Sequence, residues 1–527
     1  MLESLTTAFA GTSAGQFMLT QNLAFLAPEL VITLTILMTF ILSLAKGQAD
    51  QQRSWGIALF GTVLSLATVV MHYVLFYMGN ADLALSQPVM FGMFEADLLA
   101  VVARIMLTLG MVLILHLTKR YVQERMPSQT GEFYTLLLTA FLGAMLLVGA
   151  NDMIMAFVAL ETLGIGSYIL TGYVRNNLKS TEASLKYLVY GGTSSAILLF
   201  GMALLYGLTG GSTSFEDLGL ALSSGQALGA WIPLAMVMLL VGIGFKLSAV
   251  PFHTWTPDVY EGAPMPITAF LSIISKLAGF IFAIRILVPF AGMPDQSIGL
   301  ILSILAVASM TVGNLGALKQ TNIKRLLGYS TIAHAGYMLL GLAVMTQGSL
   351  GAMLFYLMTY IFMNTGVFAS AMIGDRVLAS EEIGAYSGLV KAKPVFVFAF
   401  SIFLLGLAGI PITAGFFAKF FLFEAVVLGG ISNTILIIIG LLASTVSLYY
   451  YLNIIKIMMI GEPSVQVQNL MSGDRGAGAS IGLTLRIATV LCLVFTLGLG
   501  IFGEPALTVC EQAMRQHGMV VTSSLVR

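Results

Sequence analysis

Runs of some twenty apolar residues, each set off by a short polar loop, follow one another along almost the whole chain. They lie at 22–45, 55–77, 96–118, 133–150, 153–172, 183–208, 229–250, 264–289, 297–318, 326–345, 350–373, 395–429, 431–457 and 480–503. These fourteen runs are apolar on all faces, and each is about the ~20 residues needed to cross a hydrocarbon core. A barrel would show shorter segments of alternating character, so the pattern predicts an all-α integral membrane protein with about 14 transmembrane helices. An even count places both termini on one side of the membrane.

Two stretches break the helical pattern. In GFKLSAVPFHTWTPDVYEGAPMP, residues 244–266, four prolines (Pro251, Pro257, Pro264 and Pro266) each remove a helix hydrogen bond. The twelfth run, at 35 residues, is too long for a single crossing and contains GLAGIPITAGFFAKF, residues 406–420, with Pro411 inside it. Both read as discontinuous helices, which at matching places in two halves mark transporter repeats with a site near the membrane midplane. The broken spans are the seventh and the twelfth, five apart, as two inverted five-helix repeats require. The expected organisation is therefore helices 1–3 in residues 1–130, a first repeat of helices 4–8 in 131–290, a second of helices 9–13 in 291–460, and helix 14 with a tail in 461–527.

Charge fixes an orientation. Loops after odd-numbered spans hold Lys46 and Arg53; Lys119, Arg120 and Arg125; Arg175 and Lys179; Lys319, Lys324 and Arg325; Arg376, Lys391 and Lys393; and Arg475. Loops after even-numbered spans hold no lysine or arginine but contain Asp82, Asp152, Glu216, Asp217 and Asp295. Basic residues are retained on the cytoplasmic side, so both termini are expected to face the periplasm or lumen. The first residues, MLESLTTAFAGTSAG, have neither the basic start of a signal peptide nor the arginine-rich character of a transit peptide, and read as mature protein.

Composition agrees with lipid as the solvent: 58% of the 527 residues are hydrophobic and 9% charged, against about 45–50% and 25% in an average soluble domain. With 24 basic and 24 acidic residues the net charge is zero, and nothing points to nucleic acid. Cys492 and Cys510 form no metal-ligand pair or expected disulfide, and the histidines at 72, 116, 253, 334 and 517 are scattered singly. No redox centre or metal is expected on this chain.

The informative charges lie inside the spans, where each costs about 2.5–3.5 kcal/mol at mid-bilayer and so needs a reason. Glu161 is nine residues from Asp152 and fourteen from Arg175, and Lys276 is twelve residues after Pro264 and thirteen before Pro289, so both sit centrally. Lys246 stands just before the first break, Lys419 a few residues after the second, and His334 nine residues inside Arg325. For Lys186, Arg104 and Arg285 the ordinary reading is snorkelling to the interface, and Glu182 with Lys186 fits an i,i+4 pair. A static buried ion pair is the bland alternative for Glu161, Lys246, Lys276 and Lys419, and simple packing the one for His334. His253 and Asp258, beside Pro251 at a broken-helix mouth, fit either backbone capping or proton uptake. Burial disfavours the charged form of a lysine or a carboxylate, while pairing favours it. Breaking and remaking a pair between Glu161 and Lys246 would switch the lysine between holding and releasing a proton.

GFKLSAVPFHTWTPDVYEGAP, SKLAGF, NIKRLLGYSTIAHAGYMLLG and LAGIPITAGFFAKF resemble subunit N, also called subunit 2, of NADH-quinone oxidoreductase. The match covers approximately residues 130 to 500. The proline-bounded motif at 244–266 is highly specific, and the first three spans fit by topology rather than motif. The resemblance implies one of three antiporter-like, proton-translocating subunits in the membrane arm of a complex I-type enzyme. The other membrane-arm subunits, a peripheral arm and the bilayer are the implied partners. NADH or ferredoxin and a quinone would be used by the complex rather than by this chain, in a bacterial inner membrane or a thylakoid membrane. Carried over by position, Glu161, Lys186, Lys246 and Lys276 look like the family's glutamate and lysines of spans five to eight, and Lys419 like the terminal lysine of the second repeat, where the M-type subunit has a glutamate. An L-type subunit would be longer, with a lateral helix. Glu424 has no place in the family pattern. Two other readings fit the same residues: a subunit of a multi-subunit cation/proton antiporter or membrane-bound hydrogenase, and a static membrane scaffold.

Overall fold

A computed structural model describes residues 24–44, 48–74, 88–126, 129–174, 176–223, 231–292, 297–430, 433–472 and 481–525. The first fifteen residues, Lys46, Asp82, Arg175, Asp295 and Arg475 lie outside the described residues. The helices are α1 (Ala27–Ser43), α2 (Gln48–His72), α3 (Leu98–Arg125), α4 (Thr130–Gly149), α5 (Met153–Thr171), α6 (Leu178–Leu208), α7 (Phe215–Ser223), α8 (Trp231–Leu247), α9 (Trp255–Gly262), α10 (Met265–Phe270), α11 (Lys276–Leu287), α12 (Ser297–Ala317), α13 (Ile323–Val344), α14 (Gln347–Leu378), α15 (Pro394–Ala408), α16 (Ala414–Leu428), α17 (Thr434–Ile460), α18 (Val465–Met471), α19 (Leu483–Ile501) and α20 (Glu504–Leu525). Among them, eleven spans are long and apolar enough to cross a membrane, α10 and α11 forming one through a π-helical turn at Leu271–Ser275. Shorter apolar helices are α1, α8 and α15.

Polar residues at the loop boundaries start the helices. Asp97 accepts from the Ala100 amide at 2.8 Å to open α3, Asp152 from Ile154 and Met155 to open α5, and Asn322 from Lys324 and Arg325 to open α13. Each cap satisfies amides that an isolated helix start leaves unpaired. The spans then pack through glycine. A Cβ on Gly143 of α4 would lie 2.5 Å from the Leu163 amide of α5, and one on Gly313 of α12 would lie 2.5 Å from the Ala333 amide of α13. Such contacts let backbones approach where lipid supplies no hydrophobic drive for association.

The span α10–α11 and helix α14 are buried along almost their whole length, whereas α2, α17 and α19 turn apolar faces outward. Helices α4, α5, α6, α8 and α11 pack together, as do α12 to α17; α9 bridges the two groups by lying against both α6 and α13.

Two features depart from the sequence reading. Residues 88–95 form an antiparallel hairpin, β1 (Pro88–Val89) against β2 (Phe94–Glu95), with Pro88 opposite Glu95. The C-terminal stretch expected as a tail is helix α20, which packs on α3, α7 and α14. Its buried residues Cys510, Ala513 and Met514 recur at helical spacing, but the stretch is too polar to read as a span. Cys492 and Cys510 are both free and buried.

Arg104 and Arg285 also correct an expectation: neither snorkels. Arg104 is fully buried, 2.7 Å from Glu29 and over the Phe94 ring. Arg285 is buried between Glu95 at 3.0 Å and Asp97 at 2.7 Å and donates to the Val148 carbonyl at 2.7 Å. Carboxylates from distant sequence positions reach both guanidiniums, which no local pattern reveals.

Candidate functional site

Lys246 is the penultimate residue of α8, which stops because Ser248 takes a left-handed conformation (φ 59°) and the chain then turns through a cis Val250–Pro251 peptide bond into α9. The Lys246 ammonium is buried and has no hydrogen-bond partner in the protein. Lys246 and Glu161 of α5 form no ion pair within 4.0 Å among the described residues, which corrects the expected contact. One Glu161 carboxyl oxygen is likewise buried and unpartnered.

Lys276 follows the π-helical turn directly and is buried in the most enclosed span. Its ammonium donates to the Leu247 carbonyl and to Ser248 Oγ, each at 2.8 Å. Thr256 of α9 donates to the same serine at 2.7 Å. The second interruption repeats this theme. Helix α15 ends at Ala408, the chain passes through Gly409 (φ 85°), Pro411 and Ile412 (φ 79°), and α16 begins at Ala414. From α16, buried Lys419 donates back to the Ala408 carbonyl at 2.9 Å and to Ser444 Oγ at 3.0 Å, and lies 5.0 Å over the Tyr337 ring. All three lysines are thus held without a carboxylate in contact.

His334 on α13 is buried and bonded on both ring nitrogens, Nδ1 to the Tyr356 hydroxyl at 2.8 Å and Nε2 to the Tyr451 hydroxyl at 3.2 Å. It packs by polar bonds rather than as a bland filler. The tyrosines carry no sequence signal that separates them from ordinary packing aromatics.

Lys186 and Asp258 lie apart from these lysines. Lys186 is partly exposed and pairs with both Glu182 and Asp258 at 2.7 Å; Asp258 also meets Arg325 at 2.7 Å, and Glu261 joins Arg325 to Lys179 at 3.1 and 2.8 Å. These groups line one pocket of about 130 Å³. Asp258 therefore ties α9 to α6 and α13 rather than capping backbone. Burial pushes Asp258 and Glu261 up, but hydrogen bonds from Lys186 and Arg325 to the first, and from Lys179 and Arg325 to the second, outweigh it and hold both below the usual carboxylate range. His253 is half-buried in the turn before α9, its Nδ1 unpartnered in the protein. No group of three or more His, Cys, Asp or Glu side chains that could share a metal ion occurs among the described residues.

A family model described as "NADH:quinone oxidoreductase/Mrp antiporter, TM" matches residues 150–447, which hold Glu161, Lys246, Lys276, His334 and Lys419. The chain belongs to this family. Among curated relatives of this antiporter-like type, NAD(P)H-quinone oxidoreductase subunit 2 of Synechococcus sp. (strain JA-3-3Ab) is 42% identical over 495 residues, covering 93% of this chain and 90% of the relative. That of Gloeobacter violaceus is 41% identical over 499 residues, covering 94% and 93%. Among solved structures, a chain of respiratory complex I from Thermus thermophilus is similar at 30% identity and TM-score 0.73, covering 91% of this chain and 98% of that one. A chain of the Mrp complex from Dietzia sp. shares the fold alone, at 21% identity and TM-score 0.79, covering 95% and 99%.

Proposed function

We propose that this antiporter-like family member translocates protons in the membrane arm of a complex I-type NADH (or ferredoxin):quinone oxidoreductase, coupling quinone reduction to pumping. The observation that carries the reading is the set of three buried lysines, Lys246, Lys276 and Lys419, gathered at two helix interruptions and held by neutral acceptors or by none. A carboxylate in contact would lock the charged form; a carbonyl and a hydroxyl orient the ammonium while leaving it free to give up a proton. In this reading a signal from quinone reduction shifts Glu161. Lys246 then loses its counter-charge and passes a proton by way of Lys276 and His334 toward Lys419, while Lys186, His253 and Asp258 serve uptake from the cytoplasm.

The eleven long spans and three shorter apolar helices support fourteen crossings. Two inverted repeats, residues 131–290 and 291–460, are supported by matching contacts. Gly143 and Gly166 cross α4 with α5, and Gly313 and Gly336 cross α12 with α13, each pair 23 residues apart. The amide of Met153 bonds to Thr213, and that of Ile323 to Glu381, in corresponding loops. The loop charges support termini on the periplasmic or lumenal side: a cysteine near Lys391 should label from the cytoplasm and one near Asp217 from the opposite face, and reversed labelling would overturn the direction of pumping. Partners are the other membrane-arm subunits and the peripheral arm, which carries the redox chemistry.

The deciding experiment is Lys246→Met in the reconstituted complex. It keeps bulk and removes the titrating group, so pumping and coupled quinone reduction should fall while assembly persists. Full pumping at normal coupling would make the lysine a structural charge. Purification without a quinone-reducing peripheral arm would favour the cation/proton antiporter reading that the shared fold also permits.

A further inference from the structure

Alongside the lysines runs a second series of buried groups. Tyr168 of α5 meets Tyr187 of α6 edge-on at 4.7 Å. Tyr187 stacks on Trp255 at 4.5 Å, and Trp255 meets Tyr260 at 6.5 Å. The Tyr187 hydroxyl is beside Ser275, next to Lys276 in sequence, and that of Tyr260 is beside Ser272 and Thr331. From there Tyr360 donates to Thr331 at 3.2 Å and packs on His334, whose ring is 5.9 Å from Tyr337, the aromatic under Lys419.

Four polar atoms along the first part of this series have no protein partner of ordinary geometry: Glu161 Oε1, Lys246 Nζ, Tyr187 Oη and Tyr260 Oη. A buried hydroxyl left unpaired is destabilising, because its hydration is lost without replacement. Phenylalanine would fill the same space without that cost, and the chain has 33 of them. Unpaired polar groups clustered in one interior region are the pattern that bound water satisfies.

We propose that the hydroxyls of Tyr187 and Tyr260, bridged by water, are the relay that carries the proton sideways from Lys246 to Thr331 and His334. The inference rests on the translocation reading above. In each transfer the phenol oxygen accepts a proton from the water behind it as its own O–H bond breaks toward the group ahead. The phenol ends neutral, Lys246 has lost one proton and His334 gained it, and no electron moves. Lys276, one residue after the Ser275 that neighbours the Tyr187 hydroxyl, is the titrating station on this route between Lys246 and His334.

Tyr187→Phe and Tyr260→Phe keep the rings and remove the relay atoms. In the reconstituted complex, assembly checked by co-purification, each should lower protons pumped per quinone reduced several-fold and raise the solvent deuterium isotope effect on pumping, as a lost packing contact would not. Tyr449→Phe, which alters an exposed phenol on α17, should change neither. The two variants decide independently, so failure of one to assemble leaves the other as the test. Normal pumping and an unchanged isotope effect in either assembled variant, with Lys246→Met impaired, would overturn the relay alone. Normal pumping in Lys246→Met would overturn the underlying reading as well.

Discussion

Lys419 Nζ stands 2.9 Å from the carbonyl oxygen of Ala408, the last residue of α15, as Lys276 Nζ stands 2.8 Å from that of Leu247, the last residue of α8. A helix end leaves carbonyls unsatisfied and carries partial negative charge, so a cation there is doubly favoured. Each interruption thus makes the acceptor that its lysine needs.

This arrangement separates holding a charge from releasing a proton. Lys276→Arg can still donate to Leu247 and Ser248, but a guanidinium does not deprotonate in proteins. The variant complex should assemble with near-normal thermal stability and pump little. Lys276→Met should instead lose stability too, by about 1–3 kcal/mol, because the carbonyl is orphaned. Equal pumping by the arginine variant and the native complex would show that this site never gives up its proton.

Glu161 and Lys246 form no ion pair within 4.0 Å among the described residues, yet the proposed mechanism makes them one unit. Glu161→Gln and Lys246→Met should each reduce pumping, and the double variant should lose less than the sum in log units, because both disable one unit. Strict additivity across the cycle would mean that the two act separately.

The Arg285 triad predicts a stability defect remote from the lysines. Arg285→Met leaves Glu95 and Asp97 facing each other in a nearly solvent-free site, a loss of roughly 3–5 kcal/mol. The yield and thermal midpoint of the complex should drop, and adding Glu95→Gln with Asp97→Asn should restore most of both. A single variant as stable as the native protein would refute this.

Acid should weaken the α9 clamp. Asp258 and Glu261 are held below their ordinary range, so their contribution is complete above the unfolded value of about 4 and disappears as pH falls through the lower folded values. The thermal midpoint should fall on acidification below about pH 4, and less steeply in Asp258→Asn. Superimposable pH profiles would count against the clamp.

Much of this was legible in the sequence because a bilayer writes its thickness directly into the chain. Runs of fixed length announced the spans, prolines announced both interruptions, and charges too costly to be accidental singled out Glu161, Lys246, Lys276 and Lys419. What stayed hidden was partnership. Ser248 and Ser444 are unremarked hydroxyls until the fold brings them to a lysine. Glu29 and Arg104 are 75 residues apart in sequence yet 2.7 Å apart in space. The tyrosines around His334 come from α14 and α17, and nothing in their local spacing points to a histidine.

The π-helical turn at Leu271–Ser275 carries a consequence for sequence length. Such a turn holds one residue more than an α-helical turn, and one residue is about 100° of rotation around a helix. Deleting one of those five residues would let the turn close into a regular helix while Lys276 and the residues before the turn keep their places, whereas a deletion in the regular helix on either side would rotate Lys276 relative to the residues before it. This short segment should therefore tolerate the loss of a single codon better than the regular helix on either side of it.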